Sequence, residues 1–137
     1  MTTITYAQEQ DLSADEYITV IGSTYMAERR AVKNPARIAE ILAGSNLIVT
    51  ARGRTGAIVG VARGISDGAW VCYLADLCVR DGWERRGIGT GLLNKCYEVL
   101  GPRVGLVLLA YPQAVEYYRK IGMGEMPAFF HDRVDSA

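Results

Sequence analysis

Val79-Arg80-Asp81-Gly82-Trp83-Glu84-Arg85-Arg86-Gly87-Ile88-Gly89-Thr90-Gly91-Leu92-Leu93 joins two segments of different periodicity. Before it, Trp70 to Val79 is an apolar, β-rich run. After it, Leu92, Leu93, Cys96, Tyr97 and Leu100 recur at helical spacing until Gly101-Pro102 stops them. A glycine turn between a strand and a helix suits an anion. Small residues let the backbone approach, and the free N–H groups of the helix start point at the ligand along the favourable end of the dipole. Arg85 and Arg86 add two cations just upstream. The dinucleotide fingerprint fails here, because its third glycine position, counted from Gly87, is Leu92; the P-loop fails because no Gly-Lys-Ser/Thr follows. On these residues alone, a pyrophosphate cradle and a ligand-free turn stay equally open.

Outward from this junction the chain alternates strands and helices without repeat, linker or low-complexity tract. Thr3 to Ala7 predicts a short strand. Ser13-Ala14-Asp15-Glu16 has the form of a reciprocal capping box, and Tyr17, Val20, Ile21 and Tyr25 predict a helix running to about Arg30. Asn34-Pro35 opens a second helix with Ile38, Ile41 and Leu42 as its buried stripe and Gly44 at its end. Leu47 to Ala51 and Ala57 to Ile65 predict strands joined by the turn Arg52 to Gly56, and Ser66-Asp67-Gly68 turns the chain into Trp70 to Val79. Downstream, Val104 to Leu109 reads as a strand buried on both faces, Pro112 to Lys120 as a helix, and Phe129 to Val134 as a last strand.

The bulk composition fits one domain of 137 residues, half of them hydrophobic. Fifteen basic residues balance fifteen acidic ones, which excludes a general nucleic-acid or membrane-surface binder. Cys72, Cys78 and Cys96 are odd in number and lack CxxC spacing, so reduced core thiols are expected and a zinc site or disulfide framework is not. His131 is the sole histidine, so no metal site is expected. No charged and apolar leader opens the chain, and no run of about 18 apolar residues occurs, so the expected compartment is the cytoplasm.

Glu84-Arg85-Arg86-Gly87-Ile88-Gly89, followed by Leu92-Leu93, resembles the acetyl-CoA-binding motif of the GNAT superfamily of N-acetyltransferases, Gln/Arg-x-x-Gly-x-Gly/Ala. Ala114 to Met123 resembles that family's Ala-x-x-Phe-Tyr-x-x-x-Gly-Phe signature. The resemblance implies an α/β fold, a mixed sheet of about six strands flanked by about four helices in the order β-α-α-β-β-β-α-β-α-β. It also implies acetyl-CoA as co-substrate, held by Arg85, Arg86, Gly87, Ile88, Gly89, Thr90 and Gly91, with backbone groups of Leu77, Cys78 and Val79 along the pantetheine and thioester. A homodimer is the general expectation for such domains. Glu84 departs from the pattern and is expected to face solvent or an arginine. Tyr111 stands where many members carry asparagine, so no role of that asparagine transfers; Met123 for phenylalanine is a mild exchange.

Acyl transfer to an amine needs a neutral nucleophile, a stabilised oxyanion and a proton for the leaving thiolate. The resemblance implies Tyr118 as that proton donor, and a phenol with an ordinary pKa of about 10 holds its proton at neutral pH. Asp76 is an isolated carboxylate in an apolar strand, where unpaired burial is costly. It is the candidate base or ammonium anchor, with a structural hydrogen-bonding role as the equal alternative. Glu28-Arg29-Arg30 reads as a solvated, charged helix end, Glu28 being a weaker acceptor-site candidate. The leading expectation is acetyl transfer to a primary amine of a small molecule. A protein or peptide amino-group acetyltransferase and a non-catalytic CoA-binding sensor are the alternatives, and Tyr118 and Asp76 favour an enzyme over a sensor.

Overall fold

The computed structural model describes residues 3–137. One five-stranded sheet carries the strands in sequence order: β1 (Thr5–Gln8), β2 (Leu47–Arg52), β3 (Ile58–Ser66), β4 (Val71–Val79) and β5 (Gly105–Leu108). The first four pair antiparallel and β5 runs parallel to β4. Helices α1 (Ala14–Ile21) and α2 (Pro35–Ala43) cover one face; α3 (Ile88–Leu100) covers the other. A last short helix, α4 (Val115–Lys120), follows β5. No helix among the described residues is long and apolar enough to cross a membrane.

The helix starts follow their local signals. Ser13 Oγ accepts the Glu16 N–H at 3.1 Å, and Asn34 Oδ1 accepts the Arg37 N–H at 3.2 Å behind Pro35. Only half of the capping box forms, however. The Glu16 carboxylate turns to Arg52, whose guanidinium also grips Glu9, so one arginine on β2 ties the ends of β1 and α1 together. The first helix also ends earlier than its apolar spacing predicts. Ser23 and Thr24 hydroxyls bond back to the carbonyls of Val20 and Ile21, and Thr24 then caps a separate 3₁₀ turn, Tyr25–Arg29. Tyr25 therefore leaves the helical stripe and is 44% exposed.

The C-terminal third departs furthest from expectation. β5 is an edge strand, not a doubly buried one, with Val107 49% exposed. The strand predicted over 129–134 does not form, and Phe129 is 95% exposed. An apolar β-rich segment becomes a strand only where a ladder partner and a packed face receive it.

One irregularity organises the centre. Arg63 pairs with Asp76, but Gly64 pairs with Leu74, so Ala75 is an extra residue in β4. A bulge of one residue flips the faces that follow. Before it, Cys72 and Leu74 pack toward α3; after it, Asp76 and Cys78 face the α1 side. The ladder between β4 and β5 covers only Val71 to Leu74, so Ala75 to Val79 continue without a partner on that side.

Close approach of α3 to the sheet requires missing side chains. A Cβ at Gly91 would lie 2.2 Å from Tyr6 Cζ. Alanine is the better helix former by about 1 kcal/mol, yet Gly91→Ala is expected to cost roughly 1–2 kcal/mol net, because overpacking must displace the ring. In a Tyr6→Ala background the same substitution should instead stabilise. Chemical denaturation of the four variants reads this sign reversal; a loss in both backgrounds would rule out the Tyr6 contact as its cause.

Candidate active site

The glycine turn ends in an unusual backbone. Gly82, Arg85 and Gly87 all have positive φ, at 89°, 63° and 76°, and Gly87 is the N-cap of α3. Arg85 is the one non-glycine residue with positive φ among the described residues, a conformation that side-chain-bearing residues seldom adopt. The first α3 amide to find its helical acceptor is that of Gly91, on Gly87 O at 3.0 Å. The amides of Ile88, Gly89 and Thr90 lie ahead of it and carry the positive end of the helix dipole. A Cβ at Gly87 would meet nothing within 4 Å, so the approach to these amides is open. Arg86 stacks on Trp83 with its guanidinium carbon 4.7 Å from the ring centroid. Glu84 is exposed, as expected, but its carboxylate turns back onto the loop. Its carboxylate accepts the Gly82 N–H at 2.9 Å, and hydrogen bonds from its own amide and then from that of Gly82 hold its pKa below the usual carboxylate value. The residue foreign to the motif thus closes the turn.

The free edge of β4 leads from this turn to a recess. Arg80 donates its N–H to Val59 O at 2.8 Å, so by strand alternation the Cys78 amide also faces β3. The amides of Leu77 and Val79 then face the open side. Cys78, expected beside them, turns inward: its sulfur lies 3.5 Å from Thr24 Oγ1, and burial pushes its thiol pKa up to about 11. At the end where β4 and β5 part, Tyr25, Tyr111 and Tyr118 line a shallow, open recess with Leu74, Leu77 and Leu108. Val79 lies beside Gly89, so recess, strand edge and glycine turn form one continuous track.

Adjacent tyrosines of α4 serve different ends of that track. The Tyr117 hydroxyl is 2.7 Å from Thr90 Oγ1 and braces α4 against the start of α3. Tyr118 lines the recess, and among the described residues nothing hydrogen-bonds its hydroxyl. Burial, reinforced by neighbouring Tyr25 and Tyr117, pushes its pKa up to about 12. It keeps its proton throughout the physiological range.

Asp76 does not reach the recess. Its side chain is fully buried, and its oxygens meet Tyr17 Oη at 2.5 Å, Arg30 Nε at 2.8 Å and Arg63 Nε at 2.6 Å. A base needs a lone pair directed at the acceptor; here both oxygens face donors that cannot be displaced without exposing a buried charge. The geometry is that of a structural hub. Arg30 also donates to Ala75 O at 2.8 Å and to the Tyr111 hydroxyl at 3.3 Å, so it pins the bulge to the recess wall. Arg30 is thus not the solvated helix end its sequence context predicts. Arg63 and Tyr17 were not legible as its partners, although a lone arginine in an apolar strand (Val59 to Ile65) was a signal complementary to Asp76. Of the residues expected to hold a cofactor, Gly91 owes its missing side chain to Tyr6, as described above.

Comparison with known proteins agrees with this architecture. A GNAT family acetyltransferase of Streptococcus pneumoniae superposes with TM-score 0.69 at 20% identity, over 97% of this chain and 100% of that one. An aminoglycoside N-acetyltransferase solved in complex with CoA gives 0.72 at 15% identity, over 98% and 97%. A soybean (Glycine max) protein named histone acetyltransferase TAP1 is 35% identical over 72 residues, 51% of this chain and 31% of its own length. The chain therefore spans about a third of the curated relatives it matches. The family model described as the acetyltransferase (GNAT) family matches residues 10–123, and the chain belongs to that family.

Proposed function

We propose that this protein transfers an acetyl group from acetyl-CoA to a primary amine of a small molecule by direct attack. The observation that carries the reading is the continuous track from the open α3 amides, along the unpaired Leu77–Val79 edge, to the recess where Tyr118 presents a free hydroxyl. The pyrophosphate would lie on the amides of Ile88, Gly89 and Thr90, with Arg85 and Arg86 alongside, and the pantetheine arm along β4. The amine nitrogen attacks the thioester carbonyl carbon, the C–S bond breaks, the Tyr118 phenol gives its proton to the sulfur, the amine's surplus proton leaves to water, and the phenolate takes a proton back from solvent. No dedicated base is assigned. No acidic side chain lines the recess to hold an ammonium, and the neutral amine is the form that attack requires. The small-molecule assignment draws on the aminoglycoside acetyltransferase neighbour. Acylation of protein amino groups is the second reading, favoured by the name of the soybean relative.

Gly89→Glu tests the cofactor assignment. A Cβ there meets Tyr117 Oη at 3.4 Å, an ordinary contact, and an acid in the first turn suits the helix dipole. The fold should therefore survive while the carboxylate blocks and repels the phosphates. Calorimetry should show CoA affinity reduced at least roughly 100-fold, the loss of several charge-assisted bonds. Unchanged affinity would remove the assignment. A thiol-release assay with acetyl-CoA against small amines and against peptides separates the two acceptor readings.

A further inference from the structure

The recess that receives the acceptor has a composition that selects among amines. Its lining side chains are tyrosines and aliphatic residues, and no acidic side chain is among them. Asp76 lies behind the wall, consumed by Arg30 and Arg63. At the rim, the Arg29 guanidinium carbon stacks 4.1 Å from the centroid of the Tyr111 ring, with Tyr25 edge-on to the same ring at 5.9 Å. Among the described residues, no carboxylate lies within ion-pair distance of Arg29, and its side chain is exposed. Arg30, by contrast, spends its donors on Asp76, on Ala75 O and on the Arg29 carbonyl. Arg29 is thus the uncommitted cation of the acceptor end. A guanidinium stacked on a ring keeps its in-plane N–H edge outward, the geometry for bidentate pairing with a carboxylate.

A polyamine or aminosugar acceptor carries several ammonium groups. In this recess they would lose water, meet no acid and face Arg29, which disfavours each of them. An amine with an apolar body and its own carboxylate meets the opposite conditions: the body packs among the tyrosines and leucines, and the carboxylate has a partner. We infer that the acceptor is a small amine with an apolar or aromatic body and a carboxylate close to the amino group, and that Arg29 takes this carboxylate. The inference rests on the acyl-transfer reading and narrows its substrate class.

Matched pairs test it. Phenylalanine and phenethylamine differ by one carboxylate, as do leucine and isoamylamine; spermidine and kanamycin represent polycationic acceptors, and O-phosphoethanolamine an amine with phosphate instead. Wild-type protein should show a higher kcat/KM for the carboxylated member of each pair than for its partner or for any of the other three. In Arg29→Gln the phenylalanine to phenethylamine ratio should fall roughly 10–100-fold, the loss of a charge-assisted pair, and Arg29→Lys should restore part of it. Arg29 is exposed, so both variants should fold. A preference for spermidine, kanamycin or phosphoethanolamine, a ratio unmoved by Arg29→Gln, or turnover of none of the carboxylated amines overturns the inference. CoA binding, measured separately by calorimetry, keeps such a failure distinct from a failure of the acyl-transfer reading, which would appear as no CoA affinity at all.

Discussion

Asp76→Ala is expected to lower stability by about 3–5 kcal/mol, on the order of 10–20 °C in Tm, because it leaves two arginines buried without their counter-ion. Arg30 and Arg63 are both largely covered, with side-chain exposures of 15% and 8%. Removing the carboxylate also frees Tyr17, whose hydroxyl is buried under α1. Asp76→Asn should be milder, since the amide oxygen still accepts one bond. Replacing the whole cluster by apolar side chains (Asp76→Leu with Arg30→Met and Arg63→Met) should recover much of the loss, as buried ion pairs rarely outperform a packed core. That triple variant should nevertheless be a poor enzyme. Nothing then ties Ala75 O and the Tyr111 hydroxyl to one guanidinium, and the recess wall loses its anchor. Thermal melts and kinetics on the three variants decide the matter. A normal melt with a collapsed kcat for Asp76→Asn would return Asp76 to the role of base.

The largest effect on turnover is expected from Tyr118→Phe, a loss of roughly 10²–10⁴ in kcat, the usual contribution of a positioned proton donor. Acetyl-CoA affinity should change little, because the hydroxyl makes no bond within the protein and Phe keeps the ring's packing. Tyr117→Phe provides the contrast. It removes the bond to Thr90 at the glycine turn and should weaken CoA binding more than it slows chemistry. The pH dependence has a definite sign. An acid catalyst works while protonated, and a pKa raised to about 12 extends its protonated range upward, so Tyr118 imposes no alkaline loss of kcat below about pH 11. A wild-type rate for Tyr118→Phe, or an alkaline limb near the ordinary phenol pKa that this variant abolishes, would contradict the assigned position of the hydroxyl in the recess.

Much of the site was legible because its signals are local. The glycine turn and the caps at Ser13 and Asn34 lie within a few residues of what they do, whereas the pair Tyr117-Tyr118 was legible only through the resemblance. The residues that escaped notice act across the sheet. Arg30 is 46 positions from Asp76 and Tyr17 is 59, so neither pairing leaves a mark on sequence spacing. Arg29 and Arg30 look alike in the run Glu28-Arg29-Arg30, yet one is spent in the interior and the other stands free on Tyr111. The helix predicted through Arg30 failed for a local reason, the hydroxyls of Ser23 and Thr24. Near the end the reason is tertiary: β5 forms as predicted but stays an edge strand because no second ladder reaches it, and no ladder reaches the segment after α4.

Sequence alone determined most of the element types, the glycine turn's failure as a dinucleotide or P-loop site, and the resemblance that placed Tyr118. Each of these depends on backbone preference and side-chain period, which neighbouring residues set. The tertiary structure alone decided which face Asp76 meets. The bulge at Ala75 shifts the parity of β4 by one residue, and parity is a property of pairing, which no single strand contains. The same extra residue lies where β4 and β5 part company, beneath the recess. Ala75 and Tyr118 line the same recess, so the bulge and the buried charges behind it shape the wall that Tyr118 faces, a placement no local motif carries.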